Sequence, residues 1–101
     1  MYRVLKTDHF SDWLNKQQLK IQLRIIERLN RLSVGHFGDY KEFEGLIELR
    51  WKNGTRAYGF RWQKNIVVCL TGGNKNGQSK DIEEAKKIRQ RVLDGTYTLL
   101  K

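Results

Sequence analysis

A group of polar residues in the middle of the chain has the side chains needed to cleave RNA without a metal. Such cleavage requires removal of the 2′-hydroxyl proton, stabilisation of a doubly charged phosphorane and a proton for the departing 5′-oxygen. Arginines and lysines can stabilise the phosphorane, and a lysine whose pKa is lowered by cationic neighbours can transfer a proton. A carboxylate on the same strand can act as the base. The candidate catalytic residues are Glu48, Arg50, Arg56, Tyr58, Lys75 and Lys80.

Other kinds of catalysis lack the residues that they need. No acidic cluster occurs in residues 47–80, which argues against metal-dependent hydrolysis. Cys69 has no histidine nearby and no nucleophile elbow, so acyl chemistry is not indicated. His9 and His36 have no partner at a recognisable spacing, and we interpret both as ordinary loop histidines. We expect neither a metal nor a cofactor.

The composition favours a polyanionic partner. The chain has 101 residues, enough for one domain with one core, and a net charge of +9. This excess repels itself in a compact protein and usually serves to attract nucleic acid or, as the alternative, an acidic protein. The single cysteine excludes a disulfide framework and a cysteine-based zinc site. Without an apolar segment long enough for a membrane span or a signal peptide, we expect a cytoplasmic protein.

Residues 47–80 predict the sheet that positions the candidate residues. Asn53-Gly54 lies between two alternating runs and is a strong hairpin signal, because both turn residues must reach positive φ. Residues 66–71 are apolar on both sides, which indicates a strand buried on both faces. The prediction is a three-stranded antiparallel meander.

Alternation along these strands predicts which side chains share a face. Ile47, Leu49 and Trp51 point to the core, whereas Glu48, Arg50 and Lys52 point to an open face. On the next strand, one side carries Arg56, Tyr58, Phe60 and Trp62, and the other carries Ala57, Gly59 and Arg61. Neither side is purely apolar, so Tyr58 is either exposed for base stacking or part of the core.

The flanking segments predict helices and a short first strand. Residues 2–6 alternate weakly, and Thr7 or Asp8 is suited to cap a helix over residues 9–15. A second helix over residues 17–32 has a wide apolar arc, and we expect the two helices to form a hairpin on one face of the sheet. Its opposite side carries a basic stripe, which is either a phosphate-facing surface or an ordinary solvated face; its members are Lys20, Arg24, Arg28 and Arg31.

The remaining segments are a connector, a loop and a last helix. Residues 35–45 contain three glycines and are predicted to be a connector. The glycine- and lysine-bearing loop of residues 72–80 leads to a helix with Asp81 as its N-cap and Gly95 as its stop. Residues 96–101 either add a terminal strand or fray. The predicted fold is α+β: an antiparallel sheet of about four strands, with an N-terminal helix hairpin and a C-terminal helix.

Three short motifs resemble those of the RelE/ParE superfamily of bacterial toxins. They are Glu-Leu-Arg at 48–50, Arg-x-Tyr at 56–58, and G-G-N-K-x-x-Q-x-K-D-I at 72–82. The chain is more narrowly similar to the HigB-like addiction-module killer proteins, and the similarity covers residues 10–91. The family's loop between the first two motifs is usually longer and contains Gly-Pro-Gly, whereas only residues 51–55 intervene here.

The resemblance implies a small RelE-like fold and a cytoplasmic toxin that cuts mRNA, often at the ribosome, and is silenced by a cognate antitoxin. A HigA-like helix-turn-helix protein is one such antitoxin, and operator DNA would be bound only through the complex. By motif match, Arg50, Arg56 and Tyr58 correspond to the catalytic sheet, and Lys75 and Lys80 to the basic loop and helix start. Further residues expected to bind RNA are Lys20, Arg24, Arg28, Lys52 and Arg61.

Two other functions are compatible with the sequence. A toxin of the same fold can inhibit gyrase, as ParE does, without cutting RNA. A non-enzymatic nucleic-acid-binding module would instead use the basic helix of residues 20–31, and its binding would depend steeply on salt.

Overall fold

Over residues 1–97 and 99–100, which the computed structural model describes, the chain forms three α-helices, one 3-10 turn and one mixed β-sheet. In chain order the elements are β1 (Arg3–Thr7), α1 (Asp8–Asn15), α2 (Leu19–Ser33), β2 (Tyr40–Phe43), β3 (Leu46–Arg50), β4 (Thr55–Arg61), β5 (Ile66–Asn74), the 3-10 turn Lys75–Gly77, α3 (Gln78–Leu93) and β6 (Leu99–Leu100).

The sheet has the order β2-β3-β4-β5-β1, with the two-residue β6 at the outer edge of β1. Strands β3, β4 and β5 form the predicted antiparallel meander. The prediction of a purely antiparallel sheet of about four strands was wrong, because β1 pairs in parallel with β5. Strand β2 lies in the predicted connector. Its residues are mostly exposed, so no buried stripe marked it in the sequence.

Helices α1 and α2 cover one face of the sheet and α3 covers the other. The residues that form the core on the α1/α2 face are Phe10, Leu14, Ile25, Leu29, Leu32, Phe37, Ile47, Leu49, Ala57, Val67 and Cys69. Those on the α3 face are Leu5, Leu46, Tyr58, Phe60, Val68, Leu70, Ala85, Ile88 and Val92. The predicted N-terminal helix hairpin is not shown, since α1 packs mainly against β5 and α2 against β1. Each helix buries part of its apolar side chains against the sheet.

The observed helix ends agree with the predicted ones at two positions and differ at a third. The Thr7 hydroxyl caps α1 by accepting a hydrogen bond from the backbone N–H of Phe10 at 3.0 Å. Gly95 follows the end of α3 with a φ of +77°, a conformation that glycine adopts without strain. The prediction that Asp81 caps α3 was wrong. The helix begins at Gln78, four residues before the start that an Asp81 cap implies, directly after the 3-10 turn that Asn74 caps.

The face of β3 that was expected to be open is largely covered. Glu48 is 1% exposed, because the start of α3 lies over this end of the sheet. Tyr58 is also 1% exposed, so the alternative that places it in the core is correct. Lys52 lies in the turn after β3 and is exposed. Alternation separates the two faces of a strand, but both faces of this strand are covered.

Two absences concern the described part of the chain. Over residues 1–97 and 99–100, no helix combines the length and the apolar character that a membrane crossing requires. Within the same residues, no three His, Cys, Asp or Glu side chains are grouped so that they could hold a metal ion.

We expect Gly72→Ala to destabilise the protein by about 1–3 kcal/mol, the usual cost of overpacking. A Cβ at Gly72 would collide with the indole ring of Trp13, which fixes α1 against β5. Urea unfolding measures the change. Gly77→Ala is the matched control, because its Cβ would lie 3.1 Å from the flexible Asp81 carboxylate. A cost of less than about 1 kcal/mol is expected there, and equal costs for the two variants would contradict the packing.

Candidate functional site

Two arginines face each other across neighbouring strands at one end of the sheet. Arg50 on β3 and Arg56 on β4 are register partners, so their side chains leave the sheet on the same face. Like charges in this position repel each other. The pair therefore needs local partners, and it attracts an additional anion.

The two guanidinium groups are held differently. The Nε of Arg50 donates to Glu48 Oε1 at 2.8 Å, an ion pair in which the arginine side chain is 33% exposed. Arg56 Nη1 donates to two backbone carbonyls of the β3–β4 turn, those of Trp51 at 3.1 Å and Thr55 at 3.0 Å. Among the described residues, the buried Nε of Arg56 has no hydrogen-bond partner. Within the described residues, Arg56 therefore has no carboxylate partner.

Glu48 is the carboxylate at the centre of this group. Its second oxygen accepts a hydrogen bond from the side-chain amide of Gln78 at 2.8 Å. Burial acts to raise the pKa of Glu48, but the hydrogen bonds from Gln78 and Arg50 outweigh it, and the net pKa is lowered. Glu48 is therefore ionised at neutral pH, with both oxygens already engaged.

Tyr58 lies directly opposite Glu48 in the β3–β4 register. Burial, followed by the nearby Glu48 carboxylate, raises the pKa of the Tyr58 hydroxyl well above its ordinary value. In the described part of the chain, this hydroxyl makes no hydrogen bond of good geometry. Tyr58 consequently stays protonated and can donate but not act as a base. Its burial also prevents the base stacking that an exposed ring would allow.

Lys75 is brought to the same end of the sheet by the loop after β5. Its backbone N–H donates to the carbonyl of Gly54 at 2.8 Å, and its side chain runs along the β3–β4 turn. We call the set defined by Glu48, Arg50, Arg56, Tyr58, Lys75 and Gln78 the arginine cluster. Within it, the positive side chains outnumber the single carboxylate by three to one.

Lys80 lies in a different cleft. Together with His9 and Trp13 of α1 it lines a space of about 230 Å³ between α1 and α3. His9 Nε2 is 3.7 Å from a carboxylate oxygen of Glu84 there, and burial raises the pKa of Asp81 in the same cleft. The structure therefore does not bring Lys80 into the arginine cluster.

Some of the residues expected to bind RNA are exposed, and others already form hydrogen bonds or ion pairs within the protein. Lys20, Arg24 and Lys52 are exposed, the first two on α2. Arg28 instead donates to the carbonyls of Phe37, Asp39 and Arg50 and lies 4.5 Å from the centre of the Trp51 ring.

Arg61 is engaged as well. It forms a bidentate ion pair with Glu42, bonds to the Tyr2 hydroxyl, and sits at the opposite end of β4 from Arg56. The geometry gives Arg28 and Arg61 structural contacts, so their expected contact with RNA stays a prediction.

Sequence reasoning did not single out Gln78 as a site residue. The glutamine belongs to the G-G-N-K-x-x-Q motif, which was the available signal. Its role depends on a contact with a residue thirty positions earlier, and spacing along the chain does not reveal such a contact.

Comparison with known proteins identifies the family. Residues 12–93 match the family model of Gp49-like phage-derived proteins (DUF891). The chain is also similar to an uncharacterized protein of Haemophilus influenzae, with 38% identity over 94 residues that cover 89% of this chain and 95% of the relative. No solved structure matches it. The chain belongs to the Gp49-like family, which is part of the RelE-like group of type II toxin–antitoxin proteins.

We expect Glu48→Gln to lower the free energy of unfolding by about 1–3 kcal/mol at pH 7, as loss of a hydrogen-bonded buried charge does. The folded pKa of Glu48 lies below its ordinary value of 4.5. Its ionised form therefore contributes stability above about pH 4.5, and this contribution is lost as the pH falls through the lower folded pKa. Unfolding of both proteins from pH 7 to pH 3 measures the difference, which should shrink toward acid. A difference that is constant with pH would contradict this account.

Proposed function

We propose that the protein is the toxin of a type II toxin–antitoxin system and acts as a metal-independent endoribonuclease that cleaves mRNA at the ribosome. The observation that carries the proposal is the pair of directly opposed arginines, Arg50 and Arg56, of which only Arg50 is paired with a carboxylate among the described residues. A bound phosphate would relieve their repulsion. Membership of a family in the RelE-like toxin group supports the choice of RNA as the anion.

The geometry suggests how the work is divided in this reaction. Arg50 and Arg56 stabilise the charge that builds up on the phosphorane, because guanidinium groups match phosphate oxygens with two donors each. Arg56 is only half-buried as a residue, so part of its guanidinium remains accessible to a phosphate. Lys75 adds positive charge from the neighbouring turn, and the protonated Tyr58 is restricted to donating. Glu48 remains the predicted base, although its two hydrogen bonds favour a role in holding Arg50.

We expect Arg56→Ala to reduce mRNA cleavage in a translation extract about 100-fold or more, the usual loss when a donor to a transition-state charge is removed. Arg56→Lys should recover only part of the activity, because lysine keeps the charge but lacks the paired donors. Mapping of mRNA 5′ ends measures cleavage. Arg56 also supports the β3–β4 turn through two carbonyls, so circular dichroism must show that both variants are folded.

Arg91→Ala is the matched control, since Arg91 is an exposed arginine in the last turn of α3. Its cleavage should equal that of the wild type. Intact transcripts with the wild-type protein would overturn the proposal. Supercoiling inhibition with intact mRNA would favour a gyrase inhibitor, and salt-sensitive binding without cleavage or growth arrest would favour a binding module.

An antitoxin partner is part of this proposal, and the surface of α2 supports it. Leu19, Leu23 and Ile26 are 69%, 58% and 40% exposed. Their spacing of four and three residues places them in one stripe, beside the basic side chains of the same helix. An apolar stripe next to positive charge fits an amphipathic segment with acidic flanks. We propose that the antitoxin contributes such a segment.

We expect Leu23→Asp to weaken binding of an acidic antitoxin at least tenfold, because the change removes apolar contact area and adds repulsion. Leu93→Asp is the matched control, since Leu93 is an exposed leucine on α3 with 51% exposure. Co-purification with the product of the neighbouring gene, followed by titration calorimetry, measures the effect. Equal binding by both variants would place the partner elsewhere.

A further inference from the structure

A chain of three side chains links the start of α3 to the arginine cluster. The amide of Gln78 donates to Glu48 Oε2 at 2.8 Å, and Arg50 Nε donates to Glu48 Oε1 at 2.8 Å. Glu48 is 1% exposed, so its carboxylate depends on these protein donors rather than on water. Gln78 is the first residue of α3 and directly follows the turn that carries Lys75.

The amide of Gln78 carries no charge, and this distinguishes it from the arginine that bonds to the other oxygen of Glu48. Three further donors lie next to Glu48 in the sheet register: Tyr58 directly across on β4, Lys41 directly across on β2, and Arg56 as the diagonal neighbour on β4, a spacing that a long side chain can bridge. If the second Glu48 oxygen turned to Arg56, the carboxylate would neutralise the remaining free arginine of the opposed pair. Gln78 occupies that oxygen without adding charge. It thereby keeps the single negative charge on Arg50 and leaves Arg56 available to an anion.

We propose that Gln78 is a positioning residue of the arginine cluster: it holds the Glu48 carboxylate on Arg50 and so keeps Arg56 free for the phosphate of bound RNA. The inference rests on the proposed function for the identity of the anion. Other charged or titratable groups on the elements packed around Glu48 are Lys41 of β2, Arg50 of β3, Arg56 and Tyr58 of β4, and Asp81 of α3.

The test uses three changes at this contact and one control. Gln78→Ala frees the second oxygen of Glu48. Gln78→Glu places a second carboxylate against it, and the double variant Glu48→Gln/Gln78→Glu exchanges the two groups. Gln90→Glu is the matched control, because Gln90 lies on the same helix and its amide bonds to Asp94 at 3.0 Å on the exposed surface.

The first measurement is unfolding as a function of pH, which needs no RNA. Gln78→Glu should be less stable than the wild type at pH 7 and should recover below about pH 5, where one carboxylate of the pair takes up a proton. The double variant should regain most of the stability at pH 7, since a carboxylate again faces an amide. Gln90→Glu places a carboxylate next to Asp94 on the exposed surface, where solvent screens the repulsion, so both effects should be much smaller there. If the free energy of unfolding of Gln78→Glu varied with pH as that of the control does, the inferred contact between Gln78 and Glu48 would be wrong.

The second measurement is binding of an RNA oligonucleotide with 2′-deoxy substitution at the cleaved position, which cannot react. Gln78→Ala should bind about 10-fold to 100-fold more weakly, the loss that follows from one missing bond to a charged group. The slope of log affinity against log salt should also fall by about one phosphate contact, because Arg56 is then neutralised by Glu48. A purely structural role would weaken binding without changing this slope.

The outcomes separate the two proposals. Binding of Gln78→Ala within twofold of the wild type, or an unchanged salt slope, would overturn the positioning role even if the wild type cleaves RNA. A wild type that binds the oligonucleotide but leaves the unmodified RNA intact would overturn the endoribonuclease. In that case the predicted effects of Gln78→Ala would still establish its role in anion binding.

Discussion

The repulsion between Arg50 and Arg56 is the constraint on which this end of the molecule depends. Their strands are joined by a four-residue turn, so the sheet register fixes the two side chains opposite each other. Each positive charge is then supported by a different means: a buried carboxylate for Arg50, and backbone carbonyls for Arg56. The carboxylate needs a covering element that supplies a second donor and excludes water. The start of α3 does both.

The glycines before α3 make this arrangement possible. Gly73 is the register partner of Arg56, and a side chain at Gly73 would occupy the space taken by the Asp81 carboxylate. The helix can therefore approach the sheet closely enough for Gln78 to reach Glu48. The glycine-rich motif thus serves here to bring a helix and a strand together. Its first three residues end β5, the next three form the 3-10 turn, and the rest begin α3.

The sequence allowed the local structure to be predicted much better than the way its elements pack. Alternation and Asn53-Gly54 predicted the meander, and Thr7 and Gly95 marked helix ends correctly, because these signals arise between near neighbours. The parallel pairing of β1 with β5 and the burial of Glu48 depend on residues far apart in the chain. Alternation placed Glu48 on the face opposite Ile47 and Leu49. It could not reveal that α3 covers this face. For the same reason, the sequence could not show that five of the six predicted catalytic residues lie together whereas Lys80 lies in another cleft.

The position of β1 in the sheet determines when a growing chain can fold. Strand β1 precedes the other described elements in the chain, yet its parallel partner β5 lies more than sixty residues later. Until β5 emerges from the ribosome, β1 lacks its partner and the meander lacks its last strand. The arginine cluster also waits for Gln78, so nearly four-fifths of the chain must be made before the site can assemble. Such long-range pairing is slow to form, because loop-closure entropy is lost before the contacts compensate for it. A nascent chain therefore contains Arg50 and Arg56 well before the elements that hold them in place have been synthesised.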